Sequence, residues 1–189
     1  MRIASLAGAA ALLTALAGCS QGGTGSEDPT TGEALDLGTT PGSTCVPAPP
    51  EDDETVFGDT LLRLEANEPV TITDVSLVDP EDMTLTEALL VQVQPGEMVV
   101  GIRYASDKGD LPERWDERID AEGAVVRPGD EWNLVLVVDS PPDLTASAKA
   151  AGIRYEQGGT KYQQDTLNRI LTTDLSCEEA EALQDPIEG

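Results

Sequence analysis

The chain has 189 residues, 36 of them Asp or Glu against 11 Lys or Arg, for a formal net charge of −25; such a surface repels nucleic acid and anionic headgroups, which excludes binding either by bulk electrostatics. Histidine is absent, and with it go Ser-His-Asp and Cys-His catalysis, most catalytic zinc sites and histidine copper chemistry. The length and a 3% aromatic fraction fit one modest domain rather than two.

Met1 and Arg2 precede an uncharged run, mostly Ala and Leu, from Ile3 to Ala17. A positive start, a short apolar stretch and small residues before a cut site describe a signal peptide over residues 1–18. As a helix, the run of about fifteen residues would rise only ~23 Å against a ~30 Å hydrocarbon core, so it is not expected to stay as a span. Leu16-Ala17-Gly18-Cys19 resembles the bacterial lipobox. That resemblance implies diacylglyceryl on Cys19, which becomes the new N-terminus and holds the protein on the outer face of the cytoplasmic membrane. Two acyl chains make a firm anchor where one is marginal. The alternative is an ordinary secretory signal whose cut site happens to include a cysteine.

Of the three cysteines, Cys19 is taken by lipid, which leaves Cys45 and Cys177 as a pair in an oxidising compartment. A disulfide between them is expected, closing a loop of about 130 residues. A redox dithiol would call for a C-x-x-C spacing or a basic neighbour, and neither is present.

Residues 19–56 are rich in Gly, Ser, Thr, Pro and carboxylates, ending in Cys45-Val46-Pro47-Ala48-Pro49-Pro50 and an acidic run. Such composition buries too little apolar surface to offset ordering entropy and reads as a tether. The roughly 25 residues from Cys19 to Cys45 would span on the order of 25–30 Å.

From residue 57 to 177 short apolar or alternating runs recur between turn signals, the rhythm of an all-β, immunoglobulin-like antiparallel sandwich. Strands are expected near Thr60–Ala66, Val70–Val78, Ala88–Val93, Val99–Ala105, Asp130–Asp139, Ala148–Glu156, Thr160–Thr166 and Leu167–Leu175. The apolar phase of Val70-Thr71-Ile72-Thr73-Asp74-Val75-Ser76-Leu77 shifts at Asp74, predicting a bulge or break. Gln157-Gly158-Gly159-Thr160 predicts a tight hairpin, with Tyr155 and Tyr162 facing one another or lying diagonally across it. Glu131 to Val138, nearly all apolar after Trp132, reads as a central strand covered on both faces. Long loops are expected at Asp79–Glu87 and Ser106–Glu122. Ser176 and Glu179 form a capping box, so a short acidic helix or tail should occupy residues 178–189.

The lipobox, the low-complexity tether, the Pro-Gly-Asp turn, the Gly-Ile-Arg-Tyr strand, the Gly-Gly hairpin and a final strand ending in cysteine together resemble small exported proteins of high-GC Gram-positive (actinobacterial) bacteria. The similarity covers roughly residues 57–177. It implies the sandwich and the exported address, and implies no activity.

Three kinds of candidate site arise. Acidic clusters at Glu51-Asp52-Asp53-Glu54, at Asp79 with Glu81 and Asp82, and at Asp107 with Asp110 could hold calcium. They lack the EF-hand pattern and the Asp/Gly periodicity of calcium-binding β-rolls, and read as solvated loop charge. A carboxylate pair could run glycoside hydrolysis, but glycosidase clefts usually carry several aromatic residues, and this chain has two Trp, three Tyr and one Phe. Trp115, flanked by Arg114 and Arg118 in a polar loop, is the candidate interaction anchor, since Trp and Arg are enriched at hot spots. Its alternative is a loop tryptophan folded back over the sandwich. No nucleophile, P-loop or dinucleotide motif occurs, and no cofactor or metal is expected. The sequence therefore predicts a monomeric, non-enzymatic binding or accessory module of the cell envelope, docking a membrane-protein partner. A ligand- or cation-capturing lipoprotein of an uptake system is the alternative, and an envelope hydrolase using carboxylates comes third.

Overall fold

The structure is a computed structural model that describes residues 29–38, 41–94, 100–107 and 114–184. Residues 1–18, Cys19 and the chain up to residue 28 lie outside it, as do Asp110 and residues 185–189.

In chain order the strands are β1 (Thr30–Thr31), β2 (Leu35–Asp36), β3 (Gly42–Pro47), β4 (Thr55–Leu64), β5 (Val70–Val78), β6 (Thr84–Gln92) and β7 (Gly101–Tyr104). A 3₁₀ turn at Trp115–Glu117 precedes β8 (Ile119–Asp120), β9 (Val125–Val126) and β10 (Glu131–Asp139). Then come β11 (Ala146–Ala148), β12 (Ala150–Gln157), β13 (Thr160–Asp165), β14 (Asn168–Thr173) and the helix α1 (Cys177–Gln184).

One sheet runs β2-β4-β10-β6-β8, with β7 also on β4, and a second runs β1-β13-β12-β5-β9. A third, β11-β14-β3, continues the second, because β11–β12 and β13–β14 are two arms of one hairpin that shifts register at Ala151 and Thr166. There the Ala151 N–H donates to Thr166 Oγ1 (2.9 Å) and the Thr166 N–H to the Ala151 carbonyl (2.8 Å). With β2, β4, β10 and β6 as strands A, B, E and D, and β5, β12 and β13 as C, F and G, this is the constant-type immunoglobulin order. All pairings within that frame are antiparallel; β1 on β13 and β3 on β14 are parallel.

The core lies between the sheets. Phe57, Leu62 and Leu64 of β4 and Leu134, Leu136 and Val138 of β10 meet Val70, Ile72, Ile153 and Tyr155 of the facing sheet. Three bulges keep the apolar phase inward, one of them on β6, where Val137 pairs with Glu87 and Val138 with Leu85, so that Thr86 is the extra residue. On β5, Arg154 pairs with Asp74 and Tyr155 with Ile72, so Thr73 is the extra residue and the inward set changes from Val70 and Ile72 to Val75 and Leu77. On β4, Leu134 pairs with Thr60 and Leu136 with Phe57, so two residues oppose Val135 and the inward set changes from Phe57 to Leu62 and Leu64. A one-residue slip would otherwise turn each apolar set outward. The hairpin forms as expected: Gln157 pairs with Thr160, Gly158 and Gly159 take φ of 58° and 83°, and Tyr155 sits opposite Tyr162 with stacked rings 5.5 Å apart.

The tether assignment needs correcting. Residues 30–31, 35–36 and 42–47 pair into sheets, and β4 begins at Thr55. Leu35 and Leu37 are 2% and 5% exposed and join the core, a period-two apolar signal that the surrounding Gly, Thr and Pro concealed. Three smaller differences follow. The loop after Asp79 is shorter than expected, since β6 starts at Thr84. The stretch 106–122 carries the 3₁₀ turn and β8. The last strand ends at Thr173, and Cys177 opens α1. The Cys45–Cys177 disulfide is formed, and it ties β3 to α1. The Ser176–Glu179 box closes too: the Glu179 N–H donates to Ser176 Oγ (3.3 Å) and the Ser176 N–H to Glu179 Oε2 (3.3 Å).

Candidate functional site

Between β6 and β10 the chain makes a long excursion whose described parts contribute β7, β8 and β9. Val100, just before β7, is held by Asn133, a fully buried amide near the start of β10, just before the apolar run Leu134 to Val138. Asn133 Oδ1 accepts from the Val100 N–H (2.8 Å), while Nδ2 donates to the carbonyls of Gly58 (3.1 Å) and Thr60 (3.0 Å). One side chain thus satisfies the carbonyls beside the β4 bulge and pins the start of the excursion. Gly58 is required there, because a Cβ would lie 2.6 Å from Val100 Cβ.

β7 then runs along β4, and Ser106 is clamped by Asp53, whose Oδ1 accepts from the Ser106 N–H (3.0 Å) and whose Oδ2 accepts from its hydroxyl. The Ser106 hydroxyl, more than any other group, holds the Asp53 carboxyl below the usual carboxylate range. Further on, Trp115 packs against a second apolar cluster on the outer face of the β4/β10/β6 sheet, made of Val56, Leu89, Val91, Val100, Val135 and Val137. β10 is therefore covered on both faces, as its sequence predicted. The excursion next turns the β6 edge through β8 and delivers Ala121, Ala124 and Val126 into the inner core.

Trp115, Arg114 and Arg118 come together, in the arrangement of a tryptophan folded back over the sandwich. The ring is half-buried, and the Arg118 guanidinium lies over it, 4.8 Å from the centroid. Arg118 Nη1 also donates to the Trp115 carbonyl (3.0 Å). Arg114 Nη1 donates to Gln92 Oε1 (3.1 Å) and pairs with Glu117 at 3.5 Å. Two clefts meet at this stack, sharing Glu87, Leu89 and Arg118 as walls. One, of about 390 Å³, runs over the outer face between Trp115, Arg103 and Glu54. The other, of about 980 Å³, opens on the side of the sandwich between β5 and β6, with Val75, Leu85 and Ala88 as an apolar floor and Glu87, Asp120 and Glu122 at the rim.

Members of the first two acidic clusters come together. Glu51, Asp52, Asp53 and Asp82 line a recess of about 490 Å³ at one end of the sandwich, whereas Asp107 borders the Trp115 cleft. Among the described residues, no group of three or more His, Cys, Asp or Glu is placed to hold a metal ion. Asn133 went unnoticed in the sequence; a single polar residue inside an apolar run was the signal that could have found it. Among the described residues no helix is long and apolar enough to cross a membrane. No protein-family model and no curated protein matches the chain.

Proposed function

We propose that this chain is an exported lipoprotein, anchored through diacylglyceryl on Cys19, whose sandwich is a non-enzymatic docking module for a membrane protein of the cell envelope. The observation that carries the docking reading is the stack of an exposed Arg118 on a partly buried Trp115 where two clefts join. A rigid aromatic with a guanidinium over its face gives a large contact area at low entropic cost, the usual make-up of an interface hot spot. The acidic rim around it favours a partner with exposed Lys or Arg and slows association with anionic surfaces. The protein acts as a monomer, with no cofactor and no nucleic acid.

The test is capture of the lipidated protein from its own envelope after mild crosslinking, with Cys19→Ala as the unanchored control. One dominant membrane protein should be recovered with wild type and lost with Arg118→Glu and Trp115→Ala, provided circular dichroism shows both variants folded. Recovery of nothing above the control would end the docking reading. The side cleft favours a second reading, capture of a small cationic ligand with an apolar portion, because its floor is apolar and its rim carboxylate. Titration calorimetry with such compounds, compared between wild type and Glu122→Gln, separates the two.

A further inference from the structure

We infer that the sandwich stands on its membrane in one orientation, with the β4–β5 and β12–β13 connections facing the lipid and the β3–β4, β5–β6 and β10–β11 connections facing outward. This rests on the anchoring of Cys19 proposed above. The chain enters the fold at β1, where Thr30 pairs with Tyr162, three residues beyond Gly159 of the Gly158-Gly159 turn. The strand registers place that turn at the same end as the loop after Leu64, since Leu64 and Gln157 lie at one end of their strands and Thr55, Val78 and Asp139 at the other.

Only nine residues, 20–28, lie between Cys19 and Pro29. Whatever its conformation, that connection reaches at most about 33–36 Å, while a nine-residue strand such as β10 is itself about 30 Å long. Turning the domain over would require this tether to run back along the whole sandwich.

Charge points the same way. The end away from the tether carries Glu51, Asp52, Asp79, Glu81, Asp82, Asp139 and Asp143, all exposed, against one exposed cation, Lys149, which pairs with Asp79. At the tether end Arg63, Arg127 and Lys161 interleave with Asp36, Glu65, Glu68, Asp130, Glu131 and Glu156, which leaves a smaller excess of negative charge. An anionic leaflet repels the first end more than the second within a Debye length of its surface. Tether and field therefore select the same face, and the three-loop end is the one an approaching molecule meets first.

The full lipidated chain, labelled with a fluorescent donor at Lys161→Cys or at Asp143→Cys after the native disulfide has formed, is incorporated into phosphatidylcholine–phosphatidylglycerol vesicles carrying a headgroup acceptor. Energy transfer should be severalfold stronger from position 161 than from position 143. Equal transfer, or stronger transfer from 143, in protein that floats with the vesicles overturns the orientation and leaves the anchor standing. Failure of the lipidated chain to float with vesicles overturns the anchor, and the orientation with it.

Discussion

Two additions close the open sides of this sandwich, and they do so by different means. Residues 29–38 close the side between β4 and β13, whereas the excursion from Val100 to Val126 closes the side between β5 and β6 and covers an outer sheet face as well. The N-terminal segment has two-residue strands and borrows side chains to satisfy its backbone. The Ala34 N–H donates to Tyr155 Oη (3.1 Å) and the Leu35 N–H to Gln164 Oε1 (3.3 Å), while Gln164 Nε2 donates to the Leu35 carbonyl (2.6 Å). It also needs Gly32, where a Cβ would sit 2.0 Å from Tyr155 Oη. The excursion is fixed instead at many separate points, from Asn133 to Asp53 to the Trp115 stack. The first segment should therefore release as a unit, and the second should loosen piece by piece.

The largest effect should come from the disulfide, which secures the chain just after the N-terminal segment. Replacing Cys45 and Cys177 by Ser removes a crosslink of 132-residue separation and is expected to cost about 4 kcal/mol, read as a lower urea midpoint. Leu35→Ala takes a side chain only 2% exposed out of the core and should cost about 3 kcal/mol. Amide exchange should speed up together across residues 30–37; if exchange quickened only at position 35, release as a unit would be wrong. On the other side, Asn133→Leu leaves the Val100 N–H and the Gly58 and Thr60 carbonyls without this partner, at an expected cost of about 2–3 kcal/mol. Its exchange changes should centre on residues 58–60 and 100–104 and leave β9 protected. Trp115→Ala should cost about 2 kcal/mol, less than a core tryptophan because the ring is only partly buried, with quickened exchange at Val135 and Val137.

The smallest effect is a pH dependence. Burial, more than any other influence, raises the Tyr155 phenol above its ordinary value of 10.0, and the Ala34 N–H opposes that shift. A group whose pKa is raised on folding stabilises fully below its unfolded value, and that contribution is lost as pH rises through the folded value. Stability should thus begin to fall above about pH 10. Limited proteolysis near residues 29–38 should report the change first, and the decline should be shallower in Tyr155→Phe.

Much of the fold was legible because its signals were local. Alternation placed β5 at Val70–Val78, the phase change at Asp74 announced the bulge, Gly-Gly set the hairpin and Ser176 with Glu179 set the helix start. The cysteine count gave the disulfide without geometry. The candidate site was legible only as residue types, Trp115 with Arg114 and Arg118, because whether a loop aromatic lies on a sheet depends on what that sheet leaves uncovered.

By itself the sequence determined an all-β chain, its strand periods and its cysteine pair, since each depends on neighbours a few residues apart or on simple chemistry. Tertiary structure decided that residues 29–38 belong to the domain, that Asn133 holds a bulge and a distant strand together, and that Trp115 stacks under Arg118 at the meeting of two clefts. Those outcomes join residues tens of positions apart, where short-range pattern carries no information and only the closure of two sheets around a core brings the partners within reach.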